Sequence, residues 1–136
     1  MNSSNENTQL INDFYRFWET ADEQLLEKTV SKEVVDYDKD PRFEGSAYEG
    51  LLYLAGAVQG LSDMRHNLTQ VHDLGEGKFM VRWEASANHT GDLFGVPASG
   101  KTAYFNGHDI FRIENGKIVE LWHIEQLLQL MAQVQG

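Results

Sequence analysis

The chain has no cysteine, so it offers no disulfide, no thiolate set for zinc and no thiol nucleophile. Basic residues are scarce. The 11 Lys and Arg stand against 21 Asp and Glu, a formal net charge of −10, and the basic residues form no cluster. A surface of that sign does not grip nucleic acid or an anionic membrane. No stretch of about 18 apolar residues is available to cross a bilayer, and the opening MNSSNENTQL lacks the basic-then-apolar layout of a secretory leader. The expectation is a soluble, cytoplasmic protein that binds neither nucleic acid nor membrane. Its 136 residues, 41% hydrophobic and 24% charged, suffice for a single domain over residues 1–136 with a substantial core.

The hydrophobic pattern changes period partway along. Residues 1–7 are polar and read as frayed. From Thr8, the positions Leu10, Ile11, Phe14, Tyr15, Phe17 and Trp18 fall at helical spacing and give a first helix with a broad aromatic face. TADEQLLEKTV reads as a short second helix capped by Thr20 or Asp22. EVVDYDKDP is a brief strand stopped by Pro41, RFEGSAYEG a loop, and LLYLAGAVQGLS a third helix. After Ser62, HNLTQVHDL and KFMVRWEASANHT alternate around the turn GEG. TAYFNGHDIFRI and KIVELWHIEQ follow a loop rich in glycine and are joined at Asn115-Gly116. Helices first and antiparallel strands after imply an α+β fold.

If Asn115-Gly116 is a two-residue turn, register follows. Ile113 faces Ile118, Phe111 faces Glu120, Asp109 faces Trp122 and Phe105 faces Gln126. One face then carries Phe105, Asp109, Phe111, Trp122, Ile124 and Gln126, an apolar wall holding one carboxylate. The other carries Asn106, His108, Arg112, His123 and Glu125, broken by Ile110, Leu121 and Val119. The first set is the better cavity wall, because a carboxylate among aromatics has a raised pKa or a dedicated partner. In this register Trp122 and Gln126 look in, while His123 and Glu125 look out. A bulge shifting the strand by one residue would exchange them.

The stretch ANHTGDLFGVPASGK, followed by GHDIFRIENGKIVELW, resembles the SnoaL-like polyketide cyclases. The similarity is close over about Asn88 to Gln133 and rests on element order before that. It implies a cone-shaped, curved antiparallel sheet whose N-terminal helices close a pocket, the nuclear-transport-factor-2-like or cystatin-like form, usually dimeric. It also implies an intramolecular aldol closure without metal or organic cofactor, with a carboxylate as acid/base on an activated ester. The family's Asp, four residues after the Trp, corresponds to Gln126, and a carboxamide cannot take up and return a proton at neutral pH. The fold is similar also to that of ketosteroid isomerase, whose apolar site keeps one Asp neutral as a hydrogen-bond donor. On that resemblance Asp40, before Pro41, matches the base, Asp109 in DIFR matches the protonated oxyanion donor, and Tyr15 or Phe14 lies near the position of its Tyr.

The candidate catalytic residues are therefore Asp109, His89 at the end of its strand, and Asp40. The candidate ligand-lining residues are Tyr15, Trp18, Tyr37, Trp83, Phe94, Phe105, Trp122 and Gln126. His108, His123 and Glu125 match no tight metal-ligand spacing, so no metal is expected there, and they read as the polar rim of a homodimer interface. The expected ligand is a small apolar or aromatic carbonyl compound, handled by acid/base chemistry. The alternatives are a ketosteroid-isomerase-like enzyme and a non-catalytic binding protein of the same fold.

Overall fold

The structure, a computed structural model, describes residues 3–135. Helix α1 spans Ser3–Thr20, α2 Glu23–Thr29, β1 Val30–Asp36, α3 Ala47–Ala57, β2 Leu61–Gly75, β3 Lys78–His89, β4 Thr102–Glu114, β5 Lys117–Glu125 and α4 Leu127–Gln135. The strands form one curved five-stranded sheet in the order β1-β5-β4-β3-β2. β2 through β5 are antiparallel neighbours, and β1 adds to β5 in parallel, a departure from the wholly antiparallel sheet expected. A parallel neighbour needs a long return connection, and here α3 and the β2–β5 meander lie between the two strands. Among the described residues, no helix is long and apolar enough to cross a membrane.

α1 starts ahead of the apolar period, so residues 3–7, expected as frayed, are helical; residues 1 and 2 lie outside the described residues. The buried stripe of this helix, Leu10, Ile11, Phe14, Tyr15 and Phe17, packs onto the sheet. Asp22 caps α2 by accepting from the Gln24 amide at 2.9 Å. α3 begins at Ala47 rather than Leu51 because Ser46 and Glu49 form a capping box, satisfying two helix-end donors reciprocally. β2 then starts at Leu61, inside the stretch expected to be helical. Helix α4 replaces the plain end of the chain that the strand pattern implies. It buries Leu130 and Val134, and Gln133 bonds both the amide and the carbonyl of Tyr104, covering the edge of β4 that β5 no longer reaches.

The β4–β5 hairpin decides which side chains enter the interior. Asn115 and Gly116 have φ of 52° and 75°, the signature of a two-residue type I′ turn, and Glu114 pairs with Lys117 as expected. Ile113 still faces Ile118, but Arg112 faces Glu120, so Val119 is an extra residue on β5. The physical reason is burial. Without the bulge Glu120 would lie opposite Phe111, which has no exposed surface, and a buried unpaired carboxylate is costly. With it, Leu121 faces Phe111 inside, while Glu120 turns out to Arg112 and the Tyr37 hydroxyl.

Candidate functional site

Every β5 side chain after the bulge is on the opposite face from the one expected. Trp122 lies outside, stacked on Tyr37 with ring centroids 4.7 Å apart and the Lys78 ammonium 5.2 Å away. His123 and Glu125 lie inside with Asp109, which pairs with His123. Gln126 is exposed and serves the junction to α4, its backbone N–H donating to the Asn106 backbone carbonyl and its own backbone carbonyl accepting from the Leu130 N–H.

The interior cavity is enclosed by α1, α3, α4 and the concave face of the sheet, with Phe14, Tyr15, Trp18, Leu54, Met64, His66, Trp83, Phe105, Leu121, Leu127 and Leu130 forming most of its wall. It leaves about 80 Å³ for the centres of water-sized molecules, against roughly 10–15 Å³ needed for one water. A second, larger and more open polar groove shares His66 and Phe105 with it, but none of Asp109, His123 and Glu125. We take the enclosed cavity as the site because the acid/base groups converge there.

Asp109 sits on β4 and is buried. Its Oδ2 accepts from both the Tyr15 hydroxyl and Trp83 Nε1, the latter at 2.9 Å. The indole reaches this point because residue 107 is glycine: a Cβ there would lie 2.3 Å from Trp83 Cζ2 and 2.6 Å from the Ile124 carbonyl oxygen. Burial, reinforced by the Glu125 charge, pushes Asp109 up to about 7 against the opposing effects of Tyr15, His123 and Trp83. The same burial, with Asp109 beside it, raises the Tyr15 phenol well above its ordinary value and keeps it a donor. Both donors fall on Oδ2, which leaves Oδ1 as the oxygen to carry the proton of the acid form.

His123 lies between two carboxylates. Its Nε2 is 2.9 and 3.0 Å from the oxygens of Asp36, and its Nδ1 is 2.9 and 3.2 Å from those of Glu125. Burial opposes charging the ring, but the two carboxylate bonds outweigh it and raise its pKa to about 10, so it is an imidazolium at neutral pH. On the far side His66 bonds Glu19 through Nδ1 at 3.0 Å and rests against the rings of Tyr15 and Trp83.

Five of the expected site residues, Asp109, Tyr15, Trp18, Trp83 and Phe105, line the cavity. The others do not. His89 is fully buried away from it and knits the 90–101 loop: the Ser99 amide donates to Nδ1, so the ring's N–H is on Nε2, donating to the Val96 carbonyl. Asp40 is at the surface, gripped by Arg42 through Nε and Nη2, and that bidentate bond lowers it to about 2. Phe94 is half exposed at the tip of the same loop with φ 48°, and Tyr37 and Trp122 stack on the outer face. The suggested outer trio is split as well, since His108 stays outside bonded to Arg82 at 2.8 Å while His123 and Glu125 are inside. Asp36 and His66 were missed, and His123 and Glu125 were expected inside only in the bulged register, which is the one found. The spacing of Ile118 and Leu121, three apart and both apolar, was one sequence sign of a bulge, and Glu120 opposite Phe111 in the simple register was another.

A family model described as SnoaL-like polyketide cyclase matches residues 8–134. No curated protein sequence matches. Among solved structures, the chain is similar to TsrD from Streptomyces laurentii at 25% identity and a TM-score of 0.80, covering 95% of this chain and 94% of that one. A candidate polyketide cyclase from Bacillus cereus is similar at 26% identity and a TM-score of 0.80, covering 96% and 80%. AclR, a candidate hydroxylase from Streptomyces galilaeus, shares the fold at 21% identity and a TM-score of 0.79, covering 96% of each.

Proposed function

Because this chain belongs to the SnoaL-like polyketide cyclase family, we propose that it is a cyclase-type enzyme. Its reaction would be cofactor-free acid/base chemistry on a small apolar or aromatic carbonyl compound. The observation that carries this is the inward turn of Glu125, which returns a carboxylate to the cavity that Gln126 does not supply. Glu125 takes the proton from a carbon next to a carbonyl, and that C–H bond breaks to give an enolate whose oxygen shares the Asp109 proton. The enolate carbon closes on a second carbonyl of the same molecule. Asp109, whose pKa of about 7 lets it hold a proton at neutral pH, gives that proton to the new alkoxide oxygen through Oδ1. One proton leaves carbon, one reaches oxygen, and the ring bond forms without any change in oxidation state. Apolar walls hold the substrate and exclude water, which strengthens both carboxylates' influence. The isomerase alternative loses support because its base, Asp40, is at the surface.

The proton abstraction can be tested before the substrate is known, by following deuterium uptake at the acidic carbon of 2-tetralone in heavy water. The expected result is exchange faster than in protein-free buffer, lost in Glu125→Gln. Exchange no faster than buffer across a panel of such ketones would leave a binding protein as the better reading.

A homodimer belongs to the same proposal. The outer face exposes Tyr104 and Ile124 beside the stacked Tyr37 and Trp122, with Asn106, His108 and Arg112 among them, a mixture suited to an interface with a polar rim. Sedimentation should give twice the chain mass at micromolar concentration, and Ile124→Lys should give the monomer. A wild-type monomer at that concentration would remove the dimer.

A further inference from the structure

We propose that Asp36, at the end of the edge strand β1, is a positioning residue that acts through His123 to fix Glu125 in the cavity as the proton acceptor. This rests on the acid/base reading above. The three side chains form one line across two strands. Asp36 pairs with Leu121 on β5, its carboxylate is 4% exposed, and both its oxygens reach the same ring nitrogen of His123. The other ring nitrogen spans both oxygens of Glu125, whose side chain is 28% exposed and forms part of the cavity wall. One end of the line is therefore buried at the sheet edge, and the other meets the ligand space.

Neither ring nitrogen of His123 is free, so the imidazolium has no proton to offer a substrate and can act only by orienting what it bonds. Its backbone is held in the same way: the His123 amide donates to Asp38 Oδ2 at 2.8 Å, and the Asp38 amide donates to Asp36 Oδ1 at 2.8 Å. The titratable groups around His123 are Asp36 of β1 and Glu125 of β5 on its ring, Asp38 on its backbone amide and Asp109 opposite it on β4, with the Tyr15 hydroxyl of α1 behind Asp109. Take away the Asp36 carboxylate and Nε2 loses its anion, the ring gives up its charge more easily, and Glu125 loses the partner that holds it toward the cavity. Orientation errors of this kind cost up to about a hundredfold in rate.

The test uses the full chain, labelled with nitrogen-15 at histidine, titrated from about pH 5 to about pH 11, together with 2-tetralone exchange. In the wild type the His123 ring should remain protonated well past neutrality. Asp36→Asn should lower its midpoint by at least about one unit and slow the maximal exchange rate about tenfold, with little change in half-saturation. Asp36→Glu, which returns the carboxylate on a longer arm, should restore most of both. Glu125→Gln should lower the same midpoint from the opposite side, and it decides the point if Asp36→Asn does not fold. A wild-type His123 titrating like an ordinary histidine overturns the inference, as does an Asp36→Asn protein that is merely less stable, with midpoint and maximal rate unchanged. If the wild type exchanges no ketone of the panel, the acid/base reading fails by itself and the nitrogen-15 midpoints still decide whether Asp36 holds His123 and Glu125.

Discussion

Asp109→Asn should reduce ketone proton exchange by about 10²-fold or more while leaving the fold intact, since a positioned acid or base contributes ~10²–10⁴. Asparagine can turn its carbonyl oxygen to the Tyr15 hydroxyl and the Trp83 Nε1–H, the two donors that now meet on Oδ2. Its NH₂ would then occupy the place of Oδ1 and has no proton to give at neutral pH. In the wild type, the acid-dependent step should decline as pH rises through about 7, where Asp109 loses its proton. The stability effect has a definite sign. The folded state keeps a proton that the unfolded chain releases, so Asp109 costs stability progressively between the ordinary value of 3.8 and about 7, and the cost is then constant. Asp109→Asn should therefore melt at a higher temperature than the wild type at about pH 8, and the advantage should shrink near pH 4. Exchange at the wild-type rate would remove Asp109 from the reaction. Asp40→Asn, at a surface pair outside the cavity wall, should leave exchange unchanged.

The half of the site on β4 was legible because a turn and an alternation determine it. Asn115-Gly116 fixes the register, and Phe105, Asp109 and Phe111 fall on one face from that point backward. The aromatic face of α1 was legible for the same kind of reason, and it supplies Tyr15, Phe14 and Trp18 to the cavity. The β5 half was not. Alternation carries side chains forward from the turn only while no residue is added, and Val119 is added. What selects the bulge is a three-dimensional comparison: Glu120 against Phe111 in one register, Leu121 against it in the other. A strand read alone gives no such comparison, although an unpaired acid opposite a core phenylalanine in the simple register was itself a warning.

The other displaced residues share a cause. His89 and Asp40 carry the right chemistry, and each satisfies it locally, His89 with Ser99 and Val96 and Asp40 with Arg42. Residue type and position before a proline or after a strand cannot distinguish a side chain bonded to its own loop from one aimed at a ligand. Conversely, Asp36 in the acidic stretch DYDKDP has the look of solvated surface in sequence, because its partner is 87 residues away along the chain. The strand pairing that joins them is the parallel β1–β5 contact, for which the sequence carries no local mark.

That contact makes His123→Ala the most destabilising single change expected. Removing the ring leaves the carboxylates of Asp36 and Glu125 facing an empty space, and Asp36 is 4% exposed. Breaking one partner out of a buried ion pair costs on the order of 3–5 kcal/mol, so urea unfolding at about pH 7 should show a loss of that size. The pH dependence separates charge from packing. The pKa of His123 is raised from 6.5 to about 10 in the folded chain. The stabilisation from its charge is therefore fully present below about 6.5 and is lost as pH rises through about 10. Wild-type stability should fall over that window, while His123→Ala, having no ring to deprotonate, should lack this component of the decline. The gap between the two proteins should accordingly narrow from about pH 7 to about pH 10.5, and what is left is the packing lost with the ring. A gap that is the same at both ends would mean that His123 stabilises the chain by filling space, with its charge contributing nothing.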